Sequence, residues 1–251
     1  MPVYDFSGKV ALVTGAGGGI GRATALAFAR AGARVLIADM NEAGGAETAA
    51  MIAAEGGESL FQPCDVANAA DVEAMMRRVA ADWGRLDFAH NNAGINNPVA
   101  DEWEDEVWRR ALGINLTGVM LCMRAEAEMM LAQGGGAIVN TASINGLVGN
   151  GAQPAYVASK HGVVGLTRHG ALRWARAGIR VNCVCPGVIE TPMTEAVASD
   201  PRIRKLMEDM TPMGRMGRPE EIAGAVLWLC SDAASFVTGH PLVIDGGATA
   251  I

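Results

Sequence analysis

The sequence predicts an α/β fold: a doubly wound, parallel sheet of seven strands with helices on both faces. Three observations lead there. Short apolar runs alternate with longer stretches of helical spacing along the whole chain. The strand-like runs are apolar throughout, the pattern of strands buried on both faces. The glycines, 32 among 251 residues, fall mostly between these runs, where turns belong.

The elements follow in order. Val10–Thr14 is the first strand, and Ile20–Ala31 shows helical spacing. Arg34–Asp39 is a second strand, Glu42–Glu55 a helix, and Ser59–Gln62 a brief third strand. Ala69–Asp82 places Val72, Met75, Met76 and Val79 on one helical face. Leu86–His90 is the fourth strand. A long helix is expected over Val107–Gln133, with Gly113 and Gly118 interrupting it and leaving its start open. Ala137–Ala142, Arg180–Cys185 and Leu242–Ile244 complete the strands; Pro154–Ala177 and Glu220–Ser231 complete the helices. Residues 188–219 escape the alternation and read as an insertion that carries Met193, Met207 and Met210. Insertions of this length in compact folds commonly serve as functional lids. No break in composition divides the chain, so residues 1–251 are expected to form one domain.

Composition excludes several classes. Lys and Arg number 20 against 27 Asp and Glu, a net charge of −7. Without a basic cluster there is nothing to hold nucleic-acid phosphates. The five cysteines form no C-x-x-C pair, and Cys183 and Cys185 sit in a strand-like run, so buried thiols are expected and no metal site is indicated. No stretch of about 18 apolar residues offers a membrane span. Met1 to Ser7 has no signal character, and the cytoplasm is the expected compartment.

The first strand runs into Thr14-Gly15-Ala16-Gly17-Gly18-Gly19-Ile20-Gly21. Glycines at a strand-to-helix junction let the backbone turn tightly and approach a ligand. The helix start then offers free N–H groups and a positive dipole end to a pyrophosphate. Asp39 closes the second strand; a carboxylate there can bind ribose hydroxyls and repel a 2′-phosphate. Gly18 and Met40 beside it are not basic, which favours NAD over NADP.

A proton carrier is suggested by Tyr156 and Lys160, an i, i+4 pair on one face of the long helix after Pro154. A free Tyr has a pKa of about 10. A nearby ammonium, and an oxidised nicotinamide, would favour the phenolate and tune the group for acid–base work. Ser143 ends the fifth strand, where a hydroxyl could meet a substrate oxygen. Asn91-Asn92-Ala93-Gly94 ends the fourth and would line the same crevice. Asn115 lies among apolar neighbours and needs partners if buried. His90, His161, His169 and His240 are scattered, without metal-ligand spacing, and read as packing or surface residues. The acidic run Asp101–Glu106 reads as charge complementing a helix N-terminus.

Taken together, the chain resembles the short-chain dehydrogenase/reductase family over nearly its whole length. The resemblance rests on Thr14–Gly21, Asp65 in Cys64-Asp65-Val66, Asn91–Gly94, Asn115, Ser143, Tyr156 and Lys160, Pro186-Gly187 with Thr191, and Asp245-Gly246-Gly247. Ala142 stands where the family often has a second Ser. The resemblance implies a Rossmann-like fold and a tetrad of Asn115, Ser143, Tyr156 and Lys160. Tyr156 would exchange the proton and Ser143 would polarise the substrate oxygen. Lys160 would lower the Tyr156 pKa and hold the nicotinamide ribose, and Asn115 would position a water. It further implies cofactor contacts at Gly15, Gly18, Gly19, Ile20, Gly21, Asp39, Met40 and Cys64. Asp65 and Val66 would flank the adenine, Asn92 would meet the adenosine-side ribose, and Ala93 and Gly94 would lie alongside. Pro186, Gly187, Val188, Thr191 and Met193 would border the nicotinamide. A homotetramer is the implied assembly.

Ile95, Asn96, Ile144, Asn145, Gln153, Val188 and Met193 adjoin these motifs and are the candidate substrate pocket. No Arg or Lys lies beside Ser143, so a neutral alcohol or ketone is expected. Two alternatives remain at this point: an NADPH-linked 3-oxoacyl-carrier-protein ketoreductase, and a nucleotide-binding sensor without turnover.

Overall fold

The structure is a computed structural model that describes residues 4–96, 103–149, 151 and 153–250. One parallel sheet of seven strands organises it. The strands are β1 (Val10–Thr14), β2 (Arg34–Asp39), β3 (Ser59–Pro63), β4 (Phe88–Asn91), β5 (Gly136–Thr141), β6 (Ile179–Pro186) and β7 (Pro241–Ile244). Their order is β3-β2-β1-β4-β5-β6-β7, and every pairing is parallel. The expected fold class is the one observed.

The order reverses between β1 and β4. Chain leaving β1 winds one way to β2 and β3; from β4 onward it winds the other way. Loops at the carboxyl ends of β1 and β4 therefore part, and the crevice they open is where α/β sheets bind ligands.

Two apolar layers cover the sheet. On one face α3 (Ala69–Trp83), α5 (Val119–Gln133) and α6 (Pro154–Trp174) bury Met75, Val79, Met130 and Val163 against Leu12, Leu36 and Ile138. On the other, α1 (Gly19–Arg30), α2 (Glu42–Ala54) and α9 (Pro219–Cys230) bury Phe28, Ile52, Ile222 and Leu229 against Val13, Val35 and Val139. Phe6, Phe28 and Phe88 cluster at the base of the second layer, with ring centroids 4.6 to 5.9 Å apart.

Boundaries differ from expectation at instructive places. The fourth strand begins at Phe88 rather than Leu86 because Asp87 is turned to bond outside the ladder. Its carboxylate accepts from the Val10 N–H, Lys9 and Arg85. The long helix expected over 107–133 is three pieces: α4 (Asp105–Leu112), a π-helical segment Gly113–Gly118, and α5. The Pro154–Ala177 helix ends in a 3₁₀ turn at Ala175–Ala177. The 188–219 insertion is largely ordered as α7 (Pro192–Ala198) and α8 (Pro201–Asp209), each opening on a proline, which suits a first helical turn. Asp105 and Glu106 occupy the first turn of α4 as the acidic run implied, while Asp101 and Glu102 lie outside the described residues. Among the described residues no helix is long and apolar enough to cross a membrane.

Candidate active site

The glycine loop is built for close approach. A Cβ at Gly21 would stand 2.1 Å from the Gly15 carbonyl oxygen and 2.7 Å from the Asn92 amide, so only glycine fits. Gly19 lies against Thr191 and Pro192, which brings the insertion over the loop. The start of α1 has no side-chain cap and no acid in its first turn. By contrast, Asn41 and Asn68 cap α2 and α3. An uncapped, acid-free helix start beneath a glycine loop is a fitting seat for a pyrophosphate.

Asp39 stands at the end of β2, half-buried. Its Oδ2 accepts from the Gly17 N–H at 2.7 Å and its Oδ1 from the Asn41 N–H at 2.8 Å. The carboxylate thus shapes the loop while presenting negative charge beside it. Met40 is exposed. Arg22, the nearest cation, is committed to Glu47, Thr48 and the Gly17 carbonyl.

Thr14 and Asn92 join the two halves of the sheet. The Thr14 hydroxyl accepts from the Asn92 and Ala93 N–H groups at 3.0 and 3.1 Å. The Asn92 amide in turn donates to the Thr14 and Gly15 carbonyls. Asn92 therefore holds the loop. Asp65 accepts from Ala67, and its N–H bonds to Asp71. Cys64 and Val66 are buried beside it, and burial pushes the Cys64 thiol up to about 12, leaving it inert. Pro186 and Gly187 end β6, where the Gly187 N–H donates to Ile244.

The catalytic candidates converge. Ser143 is buried at the end of β5; its Oγ accepts from the Asn145 N–H at 3.1 Å and hydrogen-bonds Tyr156. Gly146 permits this meeting, since a Cβ there would fall 2.7 Å from the Lys160 carbonyl oxygen. Lys160 is buried, donates to the Thr141 carbonyl at 2.7 Å, and places its ammonium 5.6 Å from the centre of the Tyr156 ring. Burial brings its pKa down to about 8. Gly94 lies directly beside the Lys160 ammonium and the Asn115 side chain.

Burial pushes the Tyr156 phenol upward, and only the Ser143 hydrogen bond opposes it. One N–H of the Lys160 ammonium goes to the Thr141 carbonyl, and the ammonium lies 5.6 Å from the centre of the Tyr156 ring. Asn115 is fully buried in the π segment. It accepts from the Ile95 N–H at 2.8 Å and donates to the Ile95 carbonyl at 2.9 Å and to the Ser159 hydroxyl at 3.3 Å. The side chain thus anchors the Ile95 backbone.

Of the pocket candidates, Ile95, Asn96, Ile144, Asn145 and Val188 are half-buried, and Met193 is exposed on α7. The Asn96 Oδ1 is buried without a hydrogen-bond partner among the described residues. Gln153 is the one non-glycine residue with positive φ among the described residues, at 67°, immediately before Pro154. His90 is wholly buried on the other face of the sheet, bonded to Thr141 Oγ1. His161 turns back onto Val157. No cluster of metal-ligating side chains occurs among the described residues. Gly146 and Ser159 were not singled out by sequence, since each works through one contact that needs the third dimension.

Known proteins share this arrangement. Residues 15–249 match a family profile described as enoyl-(acyl carrier protein) reductase. The chain is 45% identical to a 2,5-dichloro-2,5-cyclohexadiene-1,4-diol dehydrogenase of Sphingobium indicum, over 98% of this chain and 99% of that one. It is 44% identical to a cyclohexanol dehydrogenase of an Acinetobacter species, over 97% and 96%. A short-chain type dehydrogenase/reductase from Mycobacterium marinum superposes with a TM-score of 0.94 at 42% identity, covering 99% of this chain and 98% of that one. On this similarity of sequence and structure from end to end, the chain belongs to the short-chain dehydrogenase/reductase family.

Proposed function

We propose that the protein is an NAD-dependent dehydrogenase that interconverts a secondary alcohol and a ketone, with Tyr156 as general acid/base. The observation that carries this reading is the Ser143–Tyr156 hydrogen bond at the carboxyl edge of the sheet, beside Lys160 and next to the glycine loop. The residues fit a dinucleotide. The N–H groups at Gly18–Gly21 would hold the pyrophosphate and Asp39 the adenosine ribose. Cys64, Asp65 and Val66 would border the adenine, and Val188 and Thr191 the carboxamide. A bound nicotinamide supplies the hydride acceptor, or the hydride donor in the reverse direction.

In alcohol oxidation the substrate hydroxyl sits against Ser143 and Tyr156. Tyr156 takes the hydroxyl proton as the substrate carbon gives up hydride. Because burial holds the phenol up in the protein alone, the positive charge of the oxidised ring would help bring it into range. Lys160 would hold the ribose hydroxyls with the N–H groups not given to Thr141. Asn115 fixes the Ile95 backbone that walls the pocket.

The pocket candidates are neutral, and two of the relatives are named for cyclic alcohols. An uncharged cyclic secondary alcohol or diol is the substrate class we infer. A panel of cyclic and linear secondary alcohols with NAD and with NADP, followed at nicotinamide absorbance, tests this. Clear preference for NADP, or for carboxylate or phosphate substrates, would overturn it. A second reading, reduction of acyl-carrier-protein-linked ketones with NADPH, is favoured by 40% identity to a 3-oxoacyl-[acyl-carrier-protein] reductase of a Synechocystis species. The acidic balance and the committed Arg22 oppose it; the same assay with an acetoacetyl thioester decides.

The five cysteines are free and buried, in keeping with a reducing cytoplasm. Leu172 on α6 is 88% exposed and Phe236, ahead of β7, is fully exposed. Apolar side chains so placed support a homotetramer that pairs the long helices and the β7 edge.

A further inference from the structure

A buried polar group beneath the active site is unaccounted for by the reaction. Glu126 lies on the inner face of α5 with no solvent exposure. Its Oε2 accepts from the Asn91 Nδ2 at 3.0 Å. That same Nδ2 donates to the Asn140 Oδ1 at 3.1 Å, and Asn140 donates to the Thr167 hydroxyl at 2.9 Å. Two atoms of this chain of contacts have no partner: Glu126 Oε1 and Asn91 Oδ1. Oε1 is the second oxygen of the carboxyl and Oδ1 the oxygen of the amide that already donates to it, and both are acceptors if Glu126 is ionised. An unpaired, ionised carboxylate in such a place is strongly unfavourable.

We propose that Glu126 is held as a neutral carboxylic acid and serves as a positioning residue, closing with Asn91 a two-hydrogen-bond acid–amide ring that locks the ends of β4 and β5 under the active site. A single proton on Oε1 turns one orphan into a donor and gives the other its partner. The ring fixes Asn91, the residue before Asn92, which staples the glycine loop. Through Asn140 it fixes the residue before Thr141, whose carbonyl receives Lys160. Both arms of the site thus rest on one protonated carboxyl.

The surroundings agree. From α5 itself comes the Cys122 thiol, and behind it Cys64 after β3; both thiols are pushed upward and stay neutral. From β4 and β5 come the two amides. From α6 comes Thr167, hydrogen-bonded by the Cys183 thiol of β6, while Lys160 farther along α6 is turned to Thr141. Among the described residues no Lys or Arg pairs with Glu126. Burial pushes its pKa up to about 8, against a small pull from the Asn91 N–H.

The sign of the pH effect follows. The native state keeps a proton that the unfolded chain releases near the usual carboxyl value of 4.5. Stability from this group is therefore full below that value and falls as pH rises to about 8, then levels. Glu126→Gln offers the same ring without the titration.

The test is infrared difference spectroscopy on the intact protein. We expect a protonated-carboxyl band at pH 7 that is lost as pH passes about 8 and is absent from Glu126→Gln. We also expect the wild-type melting temperature to fall between pH 5 and 8 relative to Glu126→Gln. Glu126→Ala should lose tenfold or more in turnover, with most of it restored by Glu126→Gln. A wild-type spectrum without that band at pH 7, or parallel melting profiles for wild type and Glu126→Gln, would overturn the proposal. Should the glutamine variant fail to fold, the carboxyl carbon shifts of ¹³C-glutamate-labelled wild type decide: a titration near 8 supports it, and all titrations near 4.5 defeat it.

Discussion

In the proposed mechanism Tyr156 and Lys160 would carry the chemistry, and both are held in places that ordinary stability would not choose. A buried lysine whose pKa is brought down to about 8 is charged at neutral pH at a cost on the order of 3 kcal/mol. Its hydrogen bond to Thr141 returns part of that. Lys160→Met should therefore lose turnover yet melt several degrees higher at pH 7, by calorimetry. Since the folded pKa lies below the unfolded 10.5, the wild type should recover relative to the variant as pH climbs from about 8 toward 10.5. A lower melting temperature for the variant at pH 7 would show that burial does not strain this lysine. Tyr156→Phe removes only the hydroxyl. Turnover should fall by roughly a thousandfold or more while NAD binding by fluorescence titration stays within about threefold. Surviving turnover would assign the proton to another group.

At the scale of the element, the end of β2 and the break between α4 and α5 matter most. Asp39 both braces Gly17 and sets charge at the loop. Asp39→Asn keeps an acceptor for the brace and removes the charge, so the ratio of kcat/KM with NAD to that with NADP should fall by roughly tenfold. An unchanged ratio would place cofactor choice elsewhere. The π segment was not readable from sequence. A shift from i+4 to i+5 bonding leaves the apolar rhythm of Ile114, Leu116 and Val119 almost untouched, and Gly113 and Gly118 only hinted at a break. The strands and most helices were readable because their apolar runs are sealed on both faces. Thr14–Gly21, Ser143, Tyr156 and Lys160 were readable because their spacing is itself the signal. Glu126 was not: it and Glu128 stand two apart in one helix and look alike, yet one is buried against Asn91 and the other faces solvent. Asn92 was placed in the right crevice, but its task there depends on Thr14, 78 residues away.

For the whole molecule, three buried groups set how stability responds to pH. His90 is kept neutral by burial, its pKa brought down to about 3 from 6.5, so stability from this group falls as pH drops below 6.5. Glu126 acts oppositely from 4.5 to about 8, and Lys160 favours folding again above about 8. A melting profile with a shoulder near pH 6.5 and a dip near pH 8 is expected; a flat profile across pH 6 to 9 would argue against these assignments. Light scattering should return about four times the 26.0 kDa chain mass, and a monomer would refute the assembly inferred from Leu172 and Phe236. The reversal of strand order between β1 and β4 has one more effect, on the history of the chain. The cradle begins at residue 15, its brace arrives at residue 92, and the proposed proton carrier is added at 156. The central pairing of β1 with β4 closes a loop of more than 70 residues before either half of the crevice has walls. A chain still being synthesised thus holds a glycine loop with nothing to lean on. Competence should come late and all at once, and a split or circularly permuted version should regain it only when both sides of that central seam meet.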